Sequence, residues 1–174
     1  TGQQRISWTQ SEKDAAVIRV KGMAMNGFWA TEDLLPWSYN VPHEDVVFGT
    51  SKSNIDDSET HKLVSVKSEI DKIFTKYNKI AKVNLYVAGY TDSVGDASSN
   101  QSLSEKRAKS ISNWFLNAGF EGKIYYQGFG EKGQAVSTAD NVDEIRNRRA
   151  LYIVAAEKPG TSQELPYRNW KLLK

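Results

Sequence analysis

An acid and a base, Asp92 and Arg107, are the side chains whose types and placement suggest chemistry at one spot. Asp92 follows closely on the apolar run VNLYVAGY (Val83 to Tyr90), whose length and composition predict a buried strand. Arg107 falls in the second turn of an amphipathic helix whose start is expected near Ser102. A strand end and a facing helix can bring two such side chains to one cleft across fifteen residues of sequence. An acid and a base there suit a small zwitterion carrying an ammonium and a carboxylate, which is a binding signature rather than a catalytic one.

The elements that must hold this pair are legible on either side of it. Ser102 and Glu105 have the spacing of a capping box, and Gly119 sits where a helix commonly stops. The apolar stripe between them reads Leu103, Ile111, Trp114, Phe115 and Ala118. Arg107 lies four residues from both Leu103 and Ile111, so it falls on or beside that stripe. A guanidinium facing a sheet needs a partner, because a buried unpaired charge is strongly destabilising. Asp92 is the partner expected.

Upstream, EDVVFG (Glu44 to Gly49) reads as a short strand. Leu63, Val66, Ile70, Ile73 and Tyr77 then recur at helical steps, after the capping choices Asp56, Asp57 and Ser58 and up to a stop near Asn78. The run Val83 to Tyr90 is apolar on both faces, as a strand between two layers should be. KIYYQ (Lys123 to Gln127) and ALYIVAA (Ala150 to Ala156) are further strands, with a short helix expected around Ala139 to Arg146. This order predicts an α/β domain with a mixed sheet and its helices on one face.

Residues 1–44 form an aromatic-rich extension with Trp8, Phe28, Trp29, Trp37, Tyr39, Pro36 and Pro42, and one strand candidate from Ala15 to Met25. That density argues against a flexible linker and for an extension packed on the main domain, 45–157, with 158–174 as a tail. The chain opens at Thr1 without a methionine, which reads as a processed or trimmed start, so any membrane anchor would lie outside it.

Composition narrows the function classes. The 174 residues are 39% hydrophobic and 25% charged with a formal net charge of +2, without the basic field of a nucleic-acid binder. Cysteine is absent, which removes disulfides, thiolate catalysis and cysteine metal sites together. With no HExxH run and two histidines, His43 and His61, far from any acid cluster, no enzymatic activity, cofactor or metal is expected. Surface roles are expected for both histidines, and solvated strand-end positions compete with functional ones for Arg148 and Arg149. Gly128-x-Gly130-x-x-Gly133 matches a dinucleotide pattern, but no firm helix pattern opens there. Asp92 and Asp96 lack the other ligands of a calcium loop, and Asn100-Gln101-Ser102 is an incidental sequon.

The motif Gly89-Tyr90-Thr91-Asp92, followed by Gly95, Asn100, Leu103-Ser104 and Arg107-Ala108, resembles the OmpA-like (OmpA/MotB/Pal) peptidoglycan-binding domain family. Gly128-Phe129-Gly130-Glu131 and Asn147-Arg148-Arg149 extend the resemblance, which covers roughly Glu44 to Glu157. It implies a periplasmic, outer-membrane-associated envelope protein, such as a lipoprotein of a Gram-negative cell. It also implies that Asp92 accepts from the ammonium of meso-diaminopimelate in the wall stem peptide while Arg107 grips the carboxylate through its planar fork. Thr91, Asn100 and Leu103 would shape the pocket, and Arg148 would touch the wall peptide. Other envelope proteins are possible partners; an alternative is a protein-interaction module of an envelope or motor complex whose pocket is covered or unused. Two positions depart from the family pattern. Glu144 stands where an arginine often lies, and Lys132-Gly133-Gln134 replaces a turn that often carries proline.

Overall fold

The computed structural model describes residues 7, 9, 17–35, 37–49 and 51–174; Trp8, Ala15, Ala16 and Pro36 lie outside the described residues. The chain divides into two compact units, Thr1–Trp37 and Ser38–Lys174. Strand pairing carries the larger unit back to Ser38, ahead of the boundary expected at 45, and forward through the tail.

In the first unit, β1 (Ile18–Met23) pairs antiparallel with β2 (Trp29–Leu34), from Ile18 opposite Leu34 to Met23 opposite Trp29. Asn26-Gly27 makes the turn, where Gly27 (φ +85) supplies the left-handed residue. Arg19 and Asp33 face each other across the strands with two hydrogen bonds of 2.7 Å. The expected single strand is thus half of a hairpin.

The second unit contains β3 (Ser38–Asn40), α1 (Thr60–Tyr77), β4 (Asn84–Gly89), α2 (Ala97–Asn117), β5 (Lys123–Gly128), β6 (Ala150–Ala155) and β7 (Lys171–Leu172). The strands form one mixed sheet in the order β3-β6-β4-β5-β7, with β4 and β5 parallel and the other pairs antiparallel. The long α2 makes the crossover that a parallel pair requires. β4 is central, and its two apolar faces serve two layers. Leu85 and Val87 look toward the helices, whose buried residues are Leu63, Val66, Ile70 and Ile73 on α1 and Ile111 and Phe115 on α2. Tyr86, Ala88 and Tyr90 pack on the other side with Phe129, Ile153, Ala155 and the tail residues Leu165 and Trp170. Each such burial contributes about 1.5–3 kcal/mol. Among the described residues, no helix is long and apolar enough to cross a membrane.

Three expectations change. Glu44–Gly49 is irregular chain, not a strand. Val41 still donates to the Tyr152 carbonyl at 2.8 Å, but Pro42 has no N–H to continue the ladder. α2 begins at Ala97, one turn and more before Ser102, because the Asp96 carboxylate caps it by accepting from the Ser99 N–H (2.9 Å) and the Ser98 hydroxyl (2.5 Å). Its inner face is also more polar than the apolar stripe suggested. Asn100, Ser104, Arg107 and Ser112 are buried on it, whereas Ala118 is exposed. Lastly, the short helix expected around 139–146 is a single 3-10 turn, Ile145–Asn147.

A polar helix face can sit on a sheet only where backbone groups meet it, and two glycines allow this. Gly89 and Gly128 are register partners at the adjoining ends of β4 and β5. A Cβ on Gly89 would stand 2.4 Å from the Ser104 carbonyl oxygen, and one on Gly128 2.3 Å from the Glu105 nitrogen. Across this gap the Ser104 hydroxyl accepts from the Gly130 N–H at 2.8 Å and donates to the Gln101 carbonyl at 2.9 Å. Gly89→Ala and Gly128→Ala should each lower unfolding free energy by about 1–3 kcal/mol in urea titrations. Gly160→Ala, where an added Cβ meets nothing within 4 Å, should be neutral.

Candidate functional site

The close approach of α2 brings its second and third turns against the chain leaving β4. There, Thr91, Asp92, Val94, Asn100, Leu103, Arg107 and Arg148 line one cavity of about 280 Å³ with Val47, Phe48, Ser51 and Asp143. All six side chains singled out in the sequence are therefore brought to one place. Thr91 is held because its N–H donates to the Gly130 carbonyl at 2.8 Å, and its buried Oγ1 has no hydrogen-bond partner. Asn100 ties the rim, its amide donating to the Val94 carbonyl (3.1 Å) and to Glu131 (3.3 Å).

The charges are wired differently from the expected Asp92–Arg107 pair. Asp92 accepts from Arg148 Nη1 at 2.6 Å, and the same nitrogen also bonds Asp143. Arg107 is 5% exposed and donates through Nε to the Lys52 carbonyl (3.0 Å) and through Nη2 to the Gly49 carbonyl (3.3 Å). Its guanidinium also stands 5.0 Å from the centre of the Phe48 ring. No described residue accepts from its Nη1. Burial lowers the Arg107 pKa, the Asp92 charge raises it, and the neighbouring Arg148 lowers it further; at these basicities the group stays charged. Arg148 is shifted upward, chiefly by its hydrogen bond to Asp92. Asp92 and Arg107 thus act on each other through space within one cavity, without an ion pair between them.

Support for Arg107 comes from the end of the segment expected as a strand, Phe48 and Gly49, and from Lys52 just beyond it. Ser51 adopts a left-handed φ of 56°, and the Lys52 N–H donates to the Gly49 carbonyl at 3.0 Å. This tight turn offers two carbonyl oxygens to one guanidinium. Neither these carbonyls, nor Phe48, nor Asp143 carried a signal in the sequence beyond the spacing of Asp143 from Arg148.

The departures at the rim also have physical explanations. Glu144 pairs with Arg146 (2.9 and 2.7 Å), and these bonds, with the Arg146 N–H, pull its pKa down to about 2. Neither residue lines the cavity. Arg149 is not a solvated strand-end charge. Its side chain is 9% exposed, bonds Glu164 at 2.9 Å and the Gly133 carbonyl at 3.2 Å, and lies over the Tyr90 ring. It therefore fastens the tail side of the sheet.

His43, expected at the surface, is half-buried, and its side chain is only 7% exposed. Its Nδ1 lies 2.7 Å from the Val41 carbonyl and its Nε2 2.8 Å from the Ala150 carbonyl, with Asp45 at 3.4 Å. Carbonyl oxygens only accept, so both ring nitrogens are best satisfied as donors, in the imidazolium form. Burial opposes that charge, but Asp45 and the two carbonyls outweigh it, and the pKa lies above the ordinary 6.5.

The larger unit is thus an α/β domain with a charged cavity of about 280 Å³ at the end of its central strand. The match to the OmpA family runs over residues 47–148, and the chain belongs to that family. It is 34% identical over 110 residues to outer membrane protein P5 of Haemophilus influenzae, covering 63% of this chain and 28% of that protein. It is 31% identical over 108 residues to outer membrane protein A of Salmonella typhi, covering 62% and 29%. The chain thus spans well under half the length of these relatives. The fold is similar to the crystal structure of the periplasmic domain of Helicobacter pylori MotB, with a TM-score of 0.51, 15% identity, and coverage of 69% and 82%.

Because His43 pins the segment that carries the cavity wall, stability should depend on its proton. With the folded pKa raised, the stabilisation is fully present below about pH 6.5 and is lost as pH rises through the folded value. Unfolding free energies measured from pH 5.5 to 8.5 should decline across that window. His43→Gln should flatten this slope.

Proposed function

We propose that the unit 38–174 binds cell-wall peptidoglycan without catalysis, by holding the free zwitterionic end of meso-diaminopimelate in the stem peptide, and so anchors an envelope protein to the wall. The observation that carries this is the presence of one buried carboxylate, Asp92, and one buried guanidinium, Arg107, on the walls of a single cavity. OmpA-family domains associate with peptidoglycan, and the relatives named outer membrane proteins suit a location in the envelope, with the wall-facing unit in the periplasm. The diaminopimelate ammonium would donate to Asp92, and its carboxylate would accept from the unengaged side of Arg107. Thr91 lines the same cavity and would shape it around the ligand. Leu103 and Phe48 would flank the aliphatic part of the ligand.

Arg107 is suited to this task because its carbonyl partners use only part of its planar donor set. A lysine ammonium is a compact point charge with three donors, so it could not offer a planar two-donor fork to the ligand while also holding both carbonyls. Removing one half of a desolvated charge pair costs about 2 kcal/mol or more, which corresponds to a roughly 30-fold loss. Purified protein should therefore co-sediment with diaminopimelate-containing sacculi, and Asp92→Ala or Arg107→Ala should abolish this. Should both variants pellet like the parent, the assignment of this cavity is wrong. In calorimetric titrations, a diaminopimelate peptide should bind more tightly than its lysine counterpart, which lacks the second carboxylate.

A further inference from the structure

We infer that Arg148 is a replaceable internal counter-ion for Asp92, and that Asp143 is the positioning residue that makes the replacement possible. This rests on the cavity taking a zwitterion, as proposed above. The four charges that line the cavity are unequally matched. Asp92 already has a cation against it, Arg148 at 2.6 Å. Arg107 has carbonyl oxygens and an aromatic face as its close partners, but no carboxylate among the described residues. An entering zwitterion therefore meets a prepared site for its carboxylate and an occupied site for its ammonium.

The ammonium reaches Asp92 only when Arg148 yields. Arg148 Nη1 bonds Asp92 and Asp143 together, and these two acids differ in depth. The Asp92 side chain is 10% exposed, Arg148 33% and Asp143 74%. Arg148 thus bridges an inner and an outer carboxylate, and it can leave the inner one without losing its ion pair. Its backbone is held meanwhile by neighbours that do not move with the side chain. Asn147 is fully buried and clamps Val136 through two hydrogen bonds of 3.0 and 2.9 Å, and the Arg148 N–H donates to the Ile145 carbonyl at 3.0 Å. A guanidinium released toward Asp143 remains at the cavity mouth. Ligands with an ammonium alone must then compete with Arg148 and have nothing to offer Arg107. Selectivity for the two-charge ligand follows from this competition.

The test uses three peptides, L-Ala-γ-D-Glu-X, in which X is meso-diaminopimelate, lysine (second ammonium only) or 2-aminopimelate (second carboxylate only). Each is titrated calorimetrically into the parent, Asp143→Asn and Arg148→Gln proteins, with thermal unfolding to verify the fold. Asp143→Asn removes the fallback charge and should weaken the diaminopimelate peptide roughly two- to five-fold, the scale of one exposed ion pair, while leaving the aminopimelate peptide unchanged. Arg148→Gln frees Asp92 and should tighten the lysine peptide by a similar factor. Equal effects of Asp143→Asn on both carboxylate-bearing peptides, no effect on either, or a weaker lysine peptide with Arg148→Gln would overturn the inference while the zwitterion site stands. If the parent binds none of the three, the zwitterion site itself fails, and the inference falls with it.

Discussion

Backbone proximity between α2 and the ends of β4 and β5 is the constraint on which the rest of this unit depends. Side chains at the register partners 89 and 128 would push the helix outward, because the nearest atoms on it are main-chain atoms that cannot rotate away. With glycine at both places, Ser104 can hydrogen-bond the Gly130 turn directly. The turn in turn receives the Thr91 N–H and orients the residues that follow β4. Asp92 and Arg107 share a cavity because these two strand ends and one helix turn are locked at contact distance. A looser helix would leave the same residues in the same sequence and no cavity between them.

The electrostatics follow from that geometry. Burying Arg107 disfavours its charge, and the protein answers with oriented carbonyl dipoles rather than with a carboxylate. Dipoles stabilise the cation without neutralising it, so the group keeps its net charge for a ligand. Asp92 is treated the other way, with a full counter-charge from Arg148. One wall is thereby left charged and the other is matched. This asymmetry is invisible in a formal net charge and follows only from which groups lie within hydrogen-bond reach.

Much of the architecture was legible because it rests on periodicity. The run Val83 to Tyr90 reads as a two-faced strand, and Leu63, Val66, Ile70 and Ile73 as one face of a helix, since burial selects apolar residues at those repeats. The misreadings fall where polar interactions replaced burial. α2 starts at Ala97 through the side-chain cap of Asp96, ahead of any apolar repeat. Glu44 to Gly49 has the composition of a strand, but Pro42 and the pinned ring of His43 end the ladder before it. The tail looked like an appendage, yet Leu165 and Trp170 close the second face of the sheet, and Arg149 is tied to Glu164.

The sequence by itself determined the α/β class and the family, and it put Thr91, Asp92, Asn100, Leu103 and Arg107 in one motif and Arg148 in a second. Residue type at fixed spacing is enough for that, because helices and strands translate spacing into direction. Only the tertiary structure decided which charge faces which. Arg107 takes its partners from Gly49 and Lys52, and Asp92 takes its own from Arg148, all of them distant along the chain. Carbonyl groups are present in every residue and carry no letter in the sequence. Their direction depends on backbone angles such as that of Ser51, which the packed structure imposes.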